Sequence, residues 1–338
     1  MEERLSLEEF EARADDFDDA VEADDAVDRF CSRSEWVLPY QRAFLPERRL
    51  FLYRGDEGPG REAWAALAAR SHPTVGYYLE AIENMWCFAC PLVGPGSMQL
   101  LDAAIADVSK LQDPEHPGVA MALSGIPDSR DPSSLLSRLV HHLDDRYELR
   151  AVDSTLRFVA SLAGGLDGWL SRRSRLFRKR LRQAERKAAP EPLEFQQLEI
   201  ASAEAARELY PRILEIEARS WKSASGEGVD QGRMRLFYDD MLPRLAERGG
   251  LRVLIALHDG KDAGYLHGGV IGDHFRGLQL SYDERFDPLS LGNLMQREMI
   301  EKLCEEGITS YDLGTRSDYK RRWAEEGLRT LTIVGRPR

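Results

Sequence analysis

LRVLIALHDG (251–260), AGYLHGGVIGD (263–273) and HFRGLQLSYD (274–283) open the stretch that decides the fold. Each segment is rich in apolar residues and ends at turn-forming residues, so the three predict consecutive strands of a β-meander. The next segment, LGNLMQREMIEKLCEEG (291–307), has the apolar spacing of a helix. The predicted helix begins at a glycine, and the N–H groups at a helix start are a ready site for a phosphate.

Three more elements are predicted after this helix. TSYDLG (309–314) is a strand, SDYKRRWAEEG (317–327) a short helix and RTLTIVGR (329–336) a closing strand. The predicted order from Leu251 is therefore strand, strand, strand, helix, strand, helix, strand.

Length and composition predict one large or two medium domains in these 338 residues. No run of 18 apolar residues is present, so no membrane span is expected. The amino-terminal segment MEERLSLEEFEARADDFDD does not resemble a signal peptide, and a cytoplasmic location is therefore expected.

Acidic charge is concentrated at the amino terminus. Residues 1–28 hold 13 Asp and Glu against 2 Arg, which accounts for −11 of the net charge of −12. Such a run is usually solvated and poorly ordered, so residues 1–30 are predicted to form a flexible acidic tail. Its apolar residues also permit a short amphipathic helix.

Cysteine spacing gives no metal signal. Cys87 and Cys90 form a CxxC pair, but no second pair or histidine pair lies at ligand spacing, so free buried thiols are predicted and a zinc site is not.

The amino half follows the same order of elements as the carboxyl half. RRLFLYRGD (48–56) and TVGYYLEAIENMWCFACPLVGPG (74–96) contain strand-like runs, and MQLLDAAIADVSKL (98–111) has helical spacing. The intervening segment Arg61–Arg70, with EAWAALAAR, is predicted to be helical rather than extended. The similarity of order suggests two related units derived from a tandem duplication.

A basic helix is predicted between the halves, over residues 163–190. Nine Lys and Arg lie between Arg172 and Lys187, against the single acid Glu185. The apolar side of this helix is a single stripe made of Leu170, Phe177, Leu181, Ala184 and Ala188. The basic face is predicted either to attract phosphate or to be an ordinary solvated surface. DNA binding is not predicted, because no known nucleic-acid module is present.

Four segments in this order resemble the GNAT superfamily of acyltransferases. They are SRRSRLFRKRLRQAERKA (171–188), EARSWK (217–222), DPLSLGNLMQREMIEKLCEEGITSYDLG (287–314) and SDYKRRW (317–323). The closer resemblance is to the double-domain branch, which includes the CelD-like acetyltransferase domain and the Fem peptidyltransferases. It covers about residues 156–336 by motif and the amino half by topology.

The resemblance implies a mixed α/β fold with tandem GNAT-like domains, each a mostly antiparallel sheet flanked by helices. The expected organisation is a degenerate domain at residues 31–162, the basic helix, and a donor-binding domain at residues 191–338. The degenerate domain is expected to shape the acceptor cleft between the halves.

The resemblance also implies where an acyl donor would bind. The last strand of the meander and the following strand diverge in this superfamily to take the pantetheine arm of coenzyme A. The donor phosphates would then face the helix start, at Ser290, Leu291, Gly292 and Asn293. Lys320 could neutralise a phosphate, and a solvated helix residue is its alternative. Only SLGN stands where the family has a glycine-rich loop, so an acyl-carrier protein or an aminoacyl-tRNA remains an alternative to acyl-CoA.

Two residues near the last strands are candidates for proton transfer. Asp312 ends a strand, where a carboxylate often faces a ligand crevice, and could take the amine proton or anchor the ammonium. A structural cap of the following helix is the alternative for Asp312. By resemblance, Tyr319 would protonate the leaving thiolate, and ordinary packing is its alternative.

Further candidates come from the meander and the helix before it. His267 and Glu217 are candidate catalytic groups, although a lone strand histidine is more often a packing residue. Trp221 and Lys222, beside the glycine-rich SASGEGVDQG loop, and Tyr282 are candidate substrate-binding residues, and a core tryptophan is the alternative for Trp221.

The combined prediction is an N-acyltransferase that needs no permanently bound cofactor and no metal. It would move an acyl group from acyl-CoA or an acyl-carrier protein to a small-molecule or peptide amine. Transfer of an amino acid from tRNA is the alternative within this class, and a non-catalytic module that binds an anionic partner is the alternative outside it.

Overall fold

The computed structural model describes residues 2–56, 58, 62–226 and 228–338. The chain divides into two compact units. Unit 1 comprises Met1–Leu156 and Leu328–Arg338, and unit 2 comprises Arg157–Gly327. No helix among the described residues is long and apolar enough to cross a membrane.

Unit 1 is a mixed sheet with helices. Its elements are β1 (Glu2–Leu5), α1 (Leu7–Ala12), α2 (Ala14–Ala23), α3 (Ser34–Phe44), β2 (Arg49–Asp56), β3 (Glu62–His72), β4 (Gly76–Ala81), β5 (Leu92–Val93), α4 (Ser97–Ser109), β6 (Ala120–Pro127), α5 (Leu135–Leu143), the first part of β7 (Tyr147–Ser161) and most of β13 (Glu325–Pro337). The strand order is β1-β2-β3-β4-β6-β13, with β7 next to β13 and β5 on β3. Within this sheet β4 and β6 are parallel, and the other registered pairs are antiparallel.

The acidic segment is folded rather than flexible, which corrects the prediction for residues 1–30. Ser6 and Glu9 form a capping box at the start of α1, which satisfies two backbone N–H groups. Phe10 and Phe17 are buried and pack edge-on against Trp64 of β3. The apolar residues of this segment therefore anchor it to the sheet, and most of its carboxylates are exposed. Asp18 is an exception, because it is buried and accepts the Ser34 N–H at 2.7 Å.

Strand β3 corrects the helical prediction for EAWAALAAR. Glu62–His72 pairs antiparallel with β2 over eight residues and with β4 over six, so it is a central strand. Seven consecutive residues, Ala63–Ala69, are buried. A strand covered on both faces is apolar throughout, and sheet pairing overrides the helix propensity of alanine here. Arg61, at the start of that prediction, lies outside the described residues.

Unit 2 has the predicted order of elements. They are α6 (Gly165–Ser171), α7 (Arg175–Ala188), β8 (Leu193–Leu198), α8 (Ala203–Glu217), α9 (Trp221–Ser225), α10 (Gly232–Glu247), β9 (Leu251–His258), β10 (Lys261–Ile271), β11 (His274–Tyr282), a 3₁₀ helix (Glu284–Leu289), α11 (Leu291–Glu305), β12 (Ser310–Thr315) and a second 3₁₀ helix (Lys320–Arg322). The strand order is β7-β12-β11-β10-β9-β8, with β11 and β12 parallel. The meander and the mixed α/β fold are confirmed.

Three details of unit 2 differ from the sequence prediction. The predicted basic helix is two helices, because Ser174 caps a new start and its Oγ accepts the Phe177 N–H. The predicted helix over 317–327 is a single 3₁₀ turn, and β13 begins at Glu325. The end of β13 pairs antiparallel with β6, so the last eleven residues, Leu328–Arg338, belong to unit 1 and not to a domain 191–338.

Two stacked tryptophans hold the core of unit 2. The rings of Trp169 and Trp323 lie 5.5 Å apart between centroids, and Trp169 Nε1 donates to the Trp323 carbonyl at 3.0 Å. Phe177 of α7 packs edge-on against both rings. This cluster fixes the turn that carries Tyr319 and Lys320, because Trp323 immediately follows that turn.

We expect Trp323→Ala to destabilise the protein by about 3–5 kcal/mol, because it leaves a large cavity against Trp169. The matched control is Trp221→Ala, since Trp221 is 48% exposed. Urea unfolding followed by circular dichroism measures both variants. Equal losses in the two variants would contradict the packing described here.

Candidate functional site

The two parallel strands of unit 2 separate after a short contact. Strand β11 pairs with β12 at only three positions, from His274 with Ser310 to Arg276 with Asp312. Beyond this point β11 continues to Tyr282, paired only with β10. The second edge of β11 from Gly277 to Tyr282 therefore has no strand partner in the described part of the chain. The split between β11 and β12 is called the wedge below.

A β-bulge lies where the wedge opens. His267 of β10 pairs with Gln279, whereas the next residue, Gly268, pairs with Gly277. Leu278 is thus the extra residue on β11. A bulge interrupts the ladder and redirects backbone groups, and bulges are frequent beside active sites. Gly277 is required here because the Tyr311 ring occupies the space that a Cβ would need.

Asp312 joins two arginines at the apex of the wedge. Arg276 Nη1 donates to Asp312 Oδ1 at 2.7 Å, and Arg157 Nη1 donates to Oδ2 at 3.1 Å. The backbone N–H of Gly314 also donates to Oδ1 at 2.7 Å. A carboxylate with these donors holds the apex together and is poorly placed to accept an amine proton. Arg157 and Arg276, both buried, were missed from sequence.

Lys320 faces the same apex. The pKa of its ammonium is lowered to about 8 by burial and by the positive charges of Arg276 and Lys222, although Asp312 acts in the opposite direction. An uncharged amine is therefore accessible near neutral pH. Tyr319 immediately precedes Lys320, and its side chain is 42% exposed.

The predicted phosphate site at the start of α11 is poorly equipped for a phosphate. Ser290 adopts a left-handed conformation with φ 59°, and its carbonyl accepts the Asn293 N–H. The Tyr282 ring packs on Gly292, and its hydroxyl donates to Asp287 Oδ1 at 2.8 Å. Leu291 is fully buried.

Acidic residues precede this helix start. Asp283, Glu284 and Asp287 lie in the turn from β11. Asp283 is buried and accepts from two arginines, Arg285 at both carboxylate oxygens and Arg219 at Oδ2. A pyrophosphate would meet net negative charge in this turn.

Lys222 reaches the free edge of β11. Its Nζ donates to the Leu280 carbonyl at 2.6 Å and to Gln279 Oε1 at 3.2 Å, and Gln279 Nε2 donates to the Tyr238 hydroxyl at 3.2 Å. Trp221 is exposed beside it, so the alternative of a core tryptophan is wrong. Lys222 also lowers the pKa of Lys320, which puts both ammonium groups in one electrostatic neighbourhood.

Glu217 and His267 are buried behind this edge. Glu217 Oε2 accepts the Tyr265 hydroxyl at 2.9 Å, and Oε1 accepts the Val229 N–H at 3.1 Å. The His267 ring stacks on Tyr265, and neither ring nitrogen has a hydrogen-bond partner among the described residues. Burial and the charge of Lys222 lower the pKa of His267 to about 3, which corrects its assignment as a base near neutral pH.

The wedge therefore brings together some predicted residues and excludes others. Asp312, Tyr319, Lys320 and Lys222 surround it, while Glu217 and His267 support it from the buried side. Two arginines inside otherwise apolar strands, Arg157 in TLRFVASL and Arg276 in HFRGLQL, are the sequence signal that could have indicated the apex. No group of three or more His, Cys, Asp and Glu in the described part of the chain could hold a metal. The four cysteines are free thiols.

Comparisons with known proteins agree with this architecture. Residues 175–321 match the model of the acetyltransferase (GNAT) domain family. Comparison with curated protein sequences gives no match. A conserved protein of unknown function from Bacteroides thetaiotaomicron is 14% identical over 99% of both chains, with a TM-score of 0.64.

Two further solved structures have the same fold. FemX is 10% identical over 98% of this chain and 96% of its own, with a TM-score of 0.60. The DUF2156 domain of a putative lysylphosphatidylglycerol synthetase from Agrobacterium fabrum is 13% identical over 98% and 92%, with a TM-score of 0.54. At such identities the likeness concerns the fold.

The buried imidazole predicts a pH dependence of stability. The unfolded state binds a proton at His267 near pH 6.5, but the folded state does so only near pH 3. Above pH 6.5 the ring is neutral in both states, and His267 makes no pH-dependent contribution to stability. As the pH falls from 6.5 towards 3, the free energy of unfolding decreases by about 1.4 kcal/mol per pH unit. We expect His267→Gln to show a shallower loss of unfolding free energy between pH 7 and pH 4.5. His141→Gln, which replaces an exposed histidine, is the control and should keep the wild-type slope. Identical slopes in all three proteins would refute the assignment.

Proposed function

We propose that this chain, a double-domain acyltransferase of the GNAT superfamily with its GNAT domain at residues 175–321, moves an acyl group from a thioester donor to an amine. The single observation that carries the proposal is the end of β11–β12 pairing at Arg276 and Asp312. A thioester arm can pair with the free edge of β11 as a strand partner would. The six residues Gly277–Tyr282 give about 20 Å of edge for such an arm, and Lys222 already bonds to the Leu280 carbonyl on it.

In this proposal the reacting carbonyl of the thioester lies beside the bulge. Leu278 has no residue opposite it on β10, and its backbone N–H is suited to stabilise an oxyanion, because it is fixed before the reaction and needs no reorganisation. The positive charges of Arg276 and Lys222 favour the same negative charge. The wedge thus supplies electrostatic stabilisation where the tetrahedral intermediate forms.

Proton transfer is assigned to the two neighbouring residues of the 3₁₀ turn. Uncharged Lys320 accepts a proton from the acceptor amine as its nitrogen attacks the thioester carbon. The C–N bond forms, the C–S bond breaks, and the Tyr319 hydroxyl protonates the leaving thiolate. This scheme replaces Asp312 as the base, and it gives Lys320 a role other than the donor-phosphate contact expected from sequence.

Trp221 and the loop after it are the proposed acceptor wall. The indole is exposed at the start of α9, and the adjacent Lys222 is tied to the free edge of β11. An acceptor amine held against this ring would approach the edge from the side of α8 and α10.

A thermal shift tests the donor class. We expect octanoyl-CoA or acetyl-CoA to raise the melting temperature, because a ligand that binds only the folded state stabilises it. Mass spectrometry with a panel of primary amines then tests transfer. A shift produced only by aminoacyl-tRNA, with no response to any thioester, would contradict the thioester proposal in favour of transfer from tRNA.

Lys320 variants test the base. We expect wild-type kcat/KM to rise with pH with a midpoint near pH 8, following deprotonation of Lys320. Lys320→Met should lower kcat by roughly 10²–10⁴-fold. Lys320→Arg should be equally impaired, because it keeps the charge but cannot act as a base. Arg321→Met is the control, since Arg321 is exposed on the same turn. An active Lys320→Arg variant would show that only the positive charge matters.

A further inference from the structure

The outer face of α7 is an unpaired basic surface. Arg175, Lys179, Arg182 and Arg186 recur at steps of four, three and four residues, which aligns them along about 16 Å of one helix side. Arg180 and Lys187 lie beside this row. All six are exposed, and none has an ion-pair partner among the described residues. These six cations are called the basic face below.

The opposite side of α7 is packed against the donor helix. Ala184 and Ala188 form a buried cluster with Leu294 of α11, and Glu185 pairs with Arg297 at 3.4 Å between Oε1 and Nε. Helix α7 also contacts the 3₁₀ helix Glu284–Leu289 that leads into α11. The basic face is therefore rigidly attached beside the end of the wedge at which a donor arm would emerge.

Among the described residues, the turn at this end of the wedge carries more acidic than basic side chains. Asp283, Glu284 and Asp287 occupy the turn before α11, and the two arginines at this turn, Arg219 and Arg285, are already bound to Asp283. The thioester arm has a free strand edge, but a coenzyme A pyrophosphate at the helix start would meet acidic side chains. The basic face of α7 offers unpaired positive charge outside this turn.

We infer that the basic face of α7 is the docking surface for an acidic acyl-carrier protein, whose phosphopantetheine arm delivers the acyl group into the wedge. The inference rests on the proposed function and specifies its donor. Charge complementarity supports it, because the basic face matches an acidic helix in sign and length.

An apolar side chain within the basic face favours a protein partner. Leu176 is 57% exposed and lies on the same outward side as the cations. An exposed leucine adds affinity for another protein surface but contributes little to a nucleic-acid backbone, which is held by cations. Unit 2 contains as many Lys and Arg as Asp and Glu, so its positive potential is local and suits a partner with a small footprint. One leucine is also too little apolar surface to anchor a helix in a membrane.

Binding of labelled octanoyl-acyl-carrier protein, measured by fluorescence anisotropy, tests the inference. We expect the triple variant Arg175→Glu, Lys179→Glu and Arg182→Glu to raise the Kd at least about tenfold, and the wild-type Kd to rise with added salt. Leu176→Asp should weaken binding independently. The matched control reverses three exposed cations on α8 and α10, Arg207, Arg233 and Arg235, and should stay within about twofold of wild type. Circular dichroism melting confirms that each variant is folded.

The outcomes separate this inference from the proposed function. If octanoyl-CoA stabilises and acylates while carrier binding is absent or unaffected by the α7 variants, the inference is wrong and the thioester function stands. If tRNA binds more tightly than the carrier and loses affinity in the triple variant, the basic face is a nucleic-acid surface and the inference is again wrong. If no thioester of either kind supports transfer, both are wrong.

Discussion

The contact between one carboxylate and two guanidinium groups determines where the carboxyl sheet divides. Arg157 and Arg276 are buried, and an unpaired buried charge is strongly destabilising. Asp312 pairs with both and also accepts the Gly314 N–H. Gly314 has φ 86°, a conformation that turns β12 away and leaves room for the Arg276 guanidinium. Pairing between β11 and β12 stops where this cluster begins, and the free edge of β11 is its consequence.

Polar residues lie on both sides of that edge, and the two sides differ in their exposure to solvent. On the exposed side, Lys222 places a positive charge at Gln279 and Leu280, next to the bulge, and this charge helps to lower the pKa of Lys320. On the buried side, Glu217, Tyr265 and His267 form a polar layer under the strands. The Glu217 carboxylate, which accepts two hydrogen bonds, and the neutral His267 imidazole are held in place by their surroundings. They set the shape of the edge, while the partly desolvated ammonium of Lys320 is the group whose charge can change.

Local sequence patterns predicted most of unit 2 because its elements are stabilised by their own periodicity. The strands of the meander and α11 have clear apolar repeats, and α7 has a clear stripe with a serine cap. The helical prediction for EAWAALAAR was wrong because an alanine-rich segment has helical propensity, whereas pairing with two neighbouring strands makes it extended. The prediction of a flexible acidic tail was wrong because composition alone does not show that Phe10 and Phe17 pack against Trp64.

The sequence identified several residues that lie around the wedge, but not the partners that determine their chemistry. Asp312, Tyr319 and Lys320 were identified from chain order, which depends on local elements. Their chemistry depends on partners distant in sequence: Arg157 is 155 residues from Asp312. A role that arises from such a partner cannot be derived from spacing, and the same holds for His267, whose burial depends on the aromatic rings of Tyr238 and Tyr265.

The distribution of surface charge on unit 2 also limits which class of acyl donor can bind. At physiological ionic strength an exposed charge is felt over about 8 Å, and a helix with its side chains is about 10 Å across. A ligand therefore interacts with two separate charged surfaces, although the two elements touch. One is the acidic turn before α11, and the other is the outward row of cations on α7. A compact nucleotide bound at the helix start would experience mainly the acids. A larger donor that spans both surfaces would keep its own negative charge on α7 and extend only its arm past the acidic turn, so the same pattern that weakens one class of thioester favours the other.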